Sequence, residues 1–159
     1  MAVAPSEILA AVMSQQREVA GLFAALRAGS RDGEGVTRDS YGQGEEFAHR
    51  LIAERADAMG LETHRDHAAN LFMTLPGQRR AVPRLMTGSH LDSVANGGNF
   101  DGAAGVIAAL VAINALIRIG LRPTCDVTAV ALRAEESVWF QVSYIGSRSA
   151  FRCAGFVSP

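Results

Sequence analysis

The segment TGSHLDSVANGGNFDGAAGV, residues 87–106, places one histidine, two aspartates and five glycines between two apolar runs. It overlaps a short apolar stretch, RLMTGSH (residues 84–90), that predicts a strand. It leads into an apolar helical pattern that we expect to be capped by Asp101 or its neighbour and to run to about Arg118, with Gly120 at its C-terminal end. The alternating, β-branched stretch TCDVTAVAL (residues 124–132) predicts the next strand. This strand–helix–strand order predicts two parallel strands joined by a crossover.

The rest of the chain adds helices and strands on either side of this unit. Apolar residues at helical spacing predict helices over residues 6–27 and 43–59, separated by a loop rich in Gly, Ser and Asp. Two short strands joined at HAAN, residues 67–70, come next. The strand over residues 84–90 is expected to be buried on both faces, and a final helix is expected from about Ile145. The order of elements assigns the chain to the α/β class.

The composition is that of an ordinary globular domain. The 159 residues are 48% hydrophobic and 19% charged, with a net charge of -1, so nucleic acid and membranes are not expected partners. No apolar run is long enough for a membrane span, and no basic leader precedes an apolar core at the N-terminus. Two cysteines, Cys125 and Cys153, are too few for a disulfide framework and are expected to be free thiols. We therefore expect a cytoplasmic protein.

Acidic side chains and one histidine follow the two parallel strands at the same edge of the predicted sheet. His90 and Asp92 follow the first strand, and Glu135 and Glu136 follow the second. Sites in open α/β sheets lie beyond the carboxyl ends of strands. Imidazole and carboxylate are ligands that suit zinc and similar divalent ions, and one carboxylate such as Asp101 can bridge two ions. The sequence therefore predicts a metal site that supports hydrolysis.

The residues also suggest separate roles within such a site. Asp92 is too close to His90 to be an independent ligand, so we expect it to accept a hydrogen bond from the imidazole and orient the ring. Of two adjacent glutamates, one can bind the metal while the other takes a proton from water. Each motif alone has a structural interpretation: His-x-Asp as a capped loop, Gly97-Gly98 as a turn, and the Glu pair as solvated surface. Their joint placement at one sheet edge favours the metal site.

Several long motifs resemble a known family. They are T-G-S-H-L-D-S-V-x-N-G-G-x-F-D-G-x-x-G-V, then R-x-E-E-S-x-W-F and S-Y-I-G-S-R. Upstream, GEGVTRDSY, AMGLETHRD and AANLFMTLPG fit the same pattern. Together they resemble the hydantoinase/carbamoylase-type amidases of the zinc aminoacylase/exopeptidase superfamily, which include N-carbamoyl-L-amino-acid hydrolases, β-ureidopropionases and allantoate amidohydrolases. The resemblance runs from about residue 30 to residue 151.

The resemblance implies a zinc-exopeptidase-like three-layer α/β domain, here incomplete, with a mixed sheet flanked by helices. It implies hydrolysis of a carbon–nitrogen bond other than a peptide bond, with two divalent metal ions: zinc, or manganese, cobalt or nickel. His90 would bind one ion, Asp101 would bridge both and Glu136 would bind the other. Glu135 would be the general base, and Asp92 would orient His90. The implied substrate is a small molecule such as a carbamoyl or ureido amino acid, and full-length relatives are expected to be homodimers.

The chain also departs from the family pattern. Ser137 takes the place that glycine often has after the Glu pair. Residues 1–159 correspond to the N-terminal portion of the catalytic domain, and the lid or dimerisation domain and the C-terminal part of the catalytic domain are expected to be absent. Further metal-ligand histidines belong to that part, and His64 and His67 are expected at the surface rather than as substitutes. We therefore expect weak metal binding and little activity from this chain alone. The alternatives are a catalytically silent remnant, or an assembly partner completed by a separate C-terminal chain.

Overall fold

The computed structural model describes residues 3–80 and 83–152. Its elements are α1 (Pro5–Met13), α2 (Gln16–Ser30), β1 (Arg31–Asp32), β2 (Gly35–Val36), α3 (Gln43–Ala58), β3 (Glu62–Arg65), β4 (Leu71–Leu75), β5 (Leu85–His90), α4 (Ala103–Arg118), β6 (Val127–Leu132) and α5 (Ile145–Arg152). This order confirms the predicted α/β class. Among the described helices, none combines the length and the apolar character needed to cross a membrane.

Four strands form one mixed sheet in the order β3-β4-β6-β5. β6 pairs antiparallel with β4 and parallel with β5. The parallel pairing confirms the predicted crossover through α4, and it brings the carboxyl ends of β5 and β6 to the same edge. β1 and β2 form a separate two-stranded hairpin.

The main core lies between one face of the sheet and the helices. Alternate residues of β4 and β6, such as Met73 and Ala129, pack with Ile52 of α3 and Ile107 of α4 in this core, because residues two apart along a strand share a face. On the opposite face, α5 and the sheet share a cavity of about 450 Å³, whose apolar lining includes Phe72, Met86 and Phe151. Helices therefore flank the sheet as the three-layer expectation requires.

The helix predicted over residues 6–27 is interrupted, and this prediction was wrong. α1 ends at Met13 and α2 begins at Gln16. The interruption is at Gln15, whose buried side chain donates to the carbonyls of Ala11 and Val111. Gln15 also contacts the Asn114 amide of α4 at 2.9 Å. The helical spacing continues through this point, but the polar contact with α4 sets the break.

The expectation that residues 84–90 are buried on both faces was also wrong. The residues of β5 are exposed or half-buried, and Leu85 is 60% exposed. β5 is the last strand of the sheet, so only β6 lies beside it. α4 covers β5 on one face alone, as the packing of Gly105 against Ser89 shows.

Gly88 of β5 gives a test of this strand pairing. A Cβ atom at Gly88 would lie 2.0 Å from the carbonyl oxygen of Val130 in β6. We expect Gly88→Ala to lower the free energy of unfolding by about 2–3 kcal/mol, because the central strand must shift to admit the methyl group. Urea unfolding of the purified variant measures this loss.

Gly21→Ala is the matched control. Apart from the neighbouring residues and the backbone of α2 itself, no atom of the described residues lies within 4 Å of a Cβ added at Gly21. Replacing a glycine inside a helix should raise the free energy of unfolding by roughly 0.5–1 kcal/mol. Equal stabilities of the Gly88 and Gly21 variants would contradict the pairing described here.

Candidate metal centre

Three predicted ligand residues lie together beyond the carboxyl ends of β5 and β6. One ligand atom from each of His90, Asp101 and Glu136 lies within 4.8 Å of the others. His90 and Glu136 are half-buried, and Asp101 is exposed. His90 is the last residue of β5, Asp101 precedes α4, and Glu136 lies in the loop after β6. The parallel pairing of β5 and β6 therefore places an imidazole and two carboxylates around one point.

Asp92 is the hydrogen-bond acceptor that connects these segments. Its buried carboxylate lies 3.2 Å from Nδ1 of His90 and accepts a hydrogen bond of 2.7 Å from the Ser40 hydroxyl. It also accepts the backbone N–H groups of Glu135, at 3.1 Å, and Glu136, at 2.9 Å. With Nδ1 of His90 donating to Asp92, Nε2 is the ring nitrogen with a lone pair for a ligand.

The hydrogen bonds to Asp92 set the charge of the pair. Burial alone would raise the pKa of Asp92, but donors from His90, Glu136 and Ser40 hold that pKa below its usual value. Burial would lower the pKa of His90, but the hydrogen bond and the negative charge of Asp92 raise that pKa above its usual value. Asp92 therefore stays ionised at neutral pH.

The pKa of Glu136 shifts in the direction opposite to that of Asp92. Burial, and then the neighbouring charge of Asp101, raise the pKa of Glu136 above its usual value. Two carboxylates crowd one point here, and a cation between them would relieve the repulsion. The donor set of one imidazole and two carboxylates fits a divalent ion of the zinc type.

Glu135 lies beside this group but is bound differently. Its carboxylate accepts the backbone N–H of Ser147 at 2.7 Å and the Ser147 hydroxyl at 2.8 Å. Ser147 is in the first turn of α5. The Glu135 carboxylate therefore accepts one of the backbone N–H groups that have no partner within the helix. Its backbone follows Ala134, which has a positive φ of 52°. The structure thus holds the Glu135 carboxylate in one orientation, and its role as a base stays a prediction.

Residues upstream of the sheet complete the surroundings of the site, and the sequence did not identify them. Ser40 contacts Asp92, as described above. Glu45 of α3 is buried and accepts the backbone N–H of Ala134 at 3.0 Å and the Arg133 guanidinium at 3.1 Å. Arg38 donates to the main-chain carbonyls of Leu91 and Asp101. The only sequence signal for these residues was the stretch GEGVTRDSY, which fitted the family pattern but was predicted to be a loop.

Other residues considered from the sequence lie elsewhere. The His64 ring stacks on Phe72 with 4.8 Å between ring centroids, and His67 contacts Ser149. Neither belongs to the group of ligand atoms around His90. Cys125 is a half-buried free thiol, and Cys153 lies outside the described residues. The surface placement expected for these two histidines therefore agrees with the structure.

Comparison with known proteins identifies the family. Residues 70–154, more than half of the chain, match peptidase family M28. The chain belongs to peptidase family M28. It is 39% identical to the allantoate amidohydrolase of Bacillus subtilis (strain 168) over 118 residues, which are 74% of the chain and 28% of that protein. It is 36% identical to the N-carbamoyl-L-amino acid amidohydrolase of Geobacillus stearothermophilus over 131 residues, or 82% of the chain and 31% of that protein.

The fold of this M28 chain is that of solved amidases. A hydantoinase/carbamoylase family amidase from Burkholderia ambifaria has a TM-score of 0.77 and 26% identity, over 86% of the chain and 33% of that protein. The chain therefore spans about a third or less of the length of the relatives that it matches. The predicted resemblance to the N-terminal portion of hydantoinase/carbamoylase-type amidases, and the predicted zinc-exopeptidase-like fold, are both confirmed.

Replacing Asp92 tests the hydrogen-bond network. We expect Asp92→Asn to lower the free energy of unfolding at pH 7 by about 3 kcal/mol, because an amide cannot accept four donors and its own N–H₂ faces N–H groups. Asp57→Asn is the control, since Asp57 accepts one exposed hydrogen bond from Thr63. Urea unfolding should show almost no change for the control, and an equally small change for Asp92→Asn would contradict the network.

The stability difference between wild type and Asp92→Asn should also depend on pH. The folded-state pKa of Asp92 is below its ordinary value of 3.8, so its ionised form stabilises the fold above pH 3.8. That stabilisation is lost as the pH falls below 3.8 and through the folded-state pKa. The difference in unfolding free energy between wild type and Asp92→Asn should therefore begin to narrow near about pH 5 and shrink progressively as the pH falls through 3.8 and the folded-state pKa. A constant difference down to pH 2 would contradict the assignment.

Proposed function

We propose that this chain carries part of the active site of a metal-dependent amidohydrolase that cleaves amide or ureido carbon–nitrogen bonds. The observation that carries the proposal is the meeting of His90, Asp101 and Glu136 at one edge of the sheet, with ligand atoms within 4.8 Å. The relatives support the reaction class, because their names are allantoate amidohydrolase and N-carbamoyl-L-amino acid amidohydrolase. A small carbamoyl or ureido amino acid is the substrate that we propose.

Two divalent ions are the proposed cofactors, zinc or else manganese, cobalt or nickel. His90 would hold one ion through Nε2, Glu136 would hold the second, and Asp101 would bridge both with its two carboxylate oxygens. Asp92 keeps the His90 ring in the tautomer that leaves Nε2 free. When bound, such ions supply Lewis-acid chemistry by polarising the substrate carbonyl and making water more acidic.

Glu135 is the proposed general base. It would accept a proton from the attacking water and return that proton to the leaving nitrogen. Hydrogen bonds from the N–H and O–H groups of Ser147 support this role, because they hold the carboxylate in one orientation. Asp92 contributes through the backbone, since it holds the N–H groups of both glutamates.

The count of ligands limits what these residues do alone. Zinc in proteins takes about three or four protein ligands, whereas His90, Asp101 and Glu136 together must serve two ions. We therefore propose that the remaining ligands come from residues other than residues 1–159, on a longer polypeptide or on a second chain. The exposed edge of β5 supports this proposal, because an open strand can take up a further strand. For a protein completed in this way we also propose a homodimer, as the family resemblance implies.

The location that we propose is the cytoplasm. The supporting observation is the thiol chemistry: the sequence holds two cysteines, and Cys125 is a free thiol. Free thiols persist in reducing compartments, whereas secreted domains use cysteines as disulfides.

Metal titration of the purified chain tests the proposed site. Equilibrium dialysis against Zn²⁺ or Co²⁺, followed by elemental analysis, should show weak binding to the wild type. His90→Ala, Asp101→Ala and Glu136→Ala should each weaken that binding at least about tenfold. His67→Ala is the control, because His67 contacts Ser149 on another part of the chain. An equal loss in the control would sink the assignment, and tight binding of two ions by the wild type would contradict the ligand count.

The proposed role of Glu135 is tested in the longer polypeptide, or in the two-chain complex, that supplies the remaining metal ligands. There, Glu135→Gln should keep the metal content and lower kcat for N-carbamoyl amino acids or allantoate by about 10²–10⁴-fold, since the amide cannot accept the proton. Glu34→Gln, an exposed change between β1 and β2, should leave kcat unchanged. Turnover that survives Glu135→Gln would show that another group is the base.

A further inference from the structure

Arg38, which lies between β2 and α3, is a fully buried cation with none of its surface exposed. Its Nε donates to the carbonyl of Leu91 at 2.6 Å, and Nη2 donates to the carbonyl of Asp101 at 2.8 Å. Nη1 lies 3.5 Å from the carbonyl of Asn99. One guanidinium thus contacts the end of β5 and the loop before α4 at the same time.

These carbonyls belong to the two segments that carry the ligands. Leu91 lies between His90 and Asp92, and the carbonyl that accepts from Nη2 is that of Asp101 itself. The main chain of Arg38 is fixed as well, since its N–H donates to the Ser93 hydroxyl at 3.0 Å and its carbonyl accepts the Ser93 N–H at 2.9 Å. The main chain of Arg38 is therefore tied to the segment that directly follows β5.

The chemistry of this contact is unusual for a buried cation. A buried charge is costly unless it is paired, and the usual partner of arginine is a carboxylate. Here the side-chain donors go to main-chain carbonyls, and the charge is balanced at longer range by Asp101 and Asp92. The planar fork matches two carbonyls with fixed spacing, which a lysine ammonium cannot do.

We propose that Arg38 is a positioning residue that sets the separation of His90 and Asp101 by holding both segments through their carbonyls. This inference rests on the proposed metal centre, in which these two side chains share an ion. Arg38 contacts no proposed ligand through that ligand's side chain, so it acts through the backbone. A loss of Arg38 would let the loop before α4 move away from β5.

Three variants test the proposal. Arg38→Met removes the charge and the donors, and Arg38→Lys keeps the charge but loses the fork. Ile113→Ala is the control, because Ile113 is buried in α4 about 15 Å along the helix from its start. The control lowers stability without touching the loop. If Arg38→Met does not fold, Arg38→Lys decides the outcome.

The first readout is binding of Co²⁺, followed by its visible absorption spectrum. Both Arg38 variants should bind Co²⁺ at least tenfold more weakly than wild type, with an altered spectrum, while Ile113→Ala keeps the wild-type affinity and spectrum. Wild-type affinity in both Arg38 variants would overturn the proposal. So would an equal loss in Ile113→Ala, because the effect would then follow stability alone.

The second readout needs no metal and separates this inference from the proposed function. Amide hydrogen exchange should speed up at least tenfold at Asp101 and Ala103 in the Arg38 variants, whereas amides of β4 and β6 should follow global stability. If wild type binds no Co²⁺, the proposed metal centre fails for this chain and the exchange result alone decides the role of Arg38. Exchange that speeds up equally in the loop and in the sheet would overturn it.

Discussion

The buried carboxylate of Asp92 is the interaction on which the candidate site depends. It joins the end of β5, through the His90 ring, to the loop after β6, through two successive backbone N–H groups. Burying this carboxylate without its donors would cost several kcal/mol of folding free energy. The fold therefore favours the arrangement in which all of these donors reach Asp92. The protein therefore fixes the geometry of this sheet edge with its own hydrogen bonds, and the proposed ligands project from a framework that is already set.

Much of the fold could be predicted because apolar spacing records which faces are buried. α3 and α4 show a helical period, as their burial requires. β6 is buried on both faces, which its alternating sequence pattern did not indicate. The break between α1 and α2 could not be predicted, because it depends on Gln15 contacting Val111, 96 positions later. The exposure of β5 was missed for a similar reason: position in a sheet depends on which strands pair, and an apolar stretch does not specify that.

In the candidate site, too, some residues could be predicted from the sequence and others depend on contacts between distant parts of the chain. His90, Asp101 and Glu136 could be proposed because the crossover predicts which strand ends share an edge, although their roles came from the family resemblance. Arg38 and Glu45 could not, because Arg38 reaches Asp101 across 63 positions and Glu45 reaches Ala134 across 89. Charged residues before the sheet look like solvated surface in a sequence. Only tertiary packing turns them into buried partners of the loop.

The place of β6 in the sheet has a consequence for synthesis on the ribosome. β6 is the last strand in the part of the chain that the structure describes, yet it lies between β4 and β5. Between the emergence of His90 and that of Leu132, roughly 2–8 s pass at about 5–20 residues per second. During that interval the nascent β5 has no neighbour, and β4 offers an open apolar edge. His90 and Glu136, which follow different strands, can come together only after β6 has paired with β5.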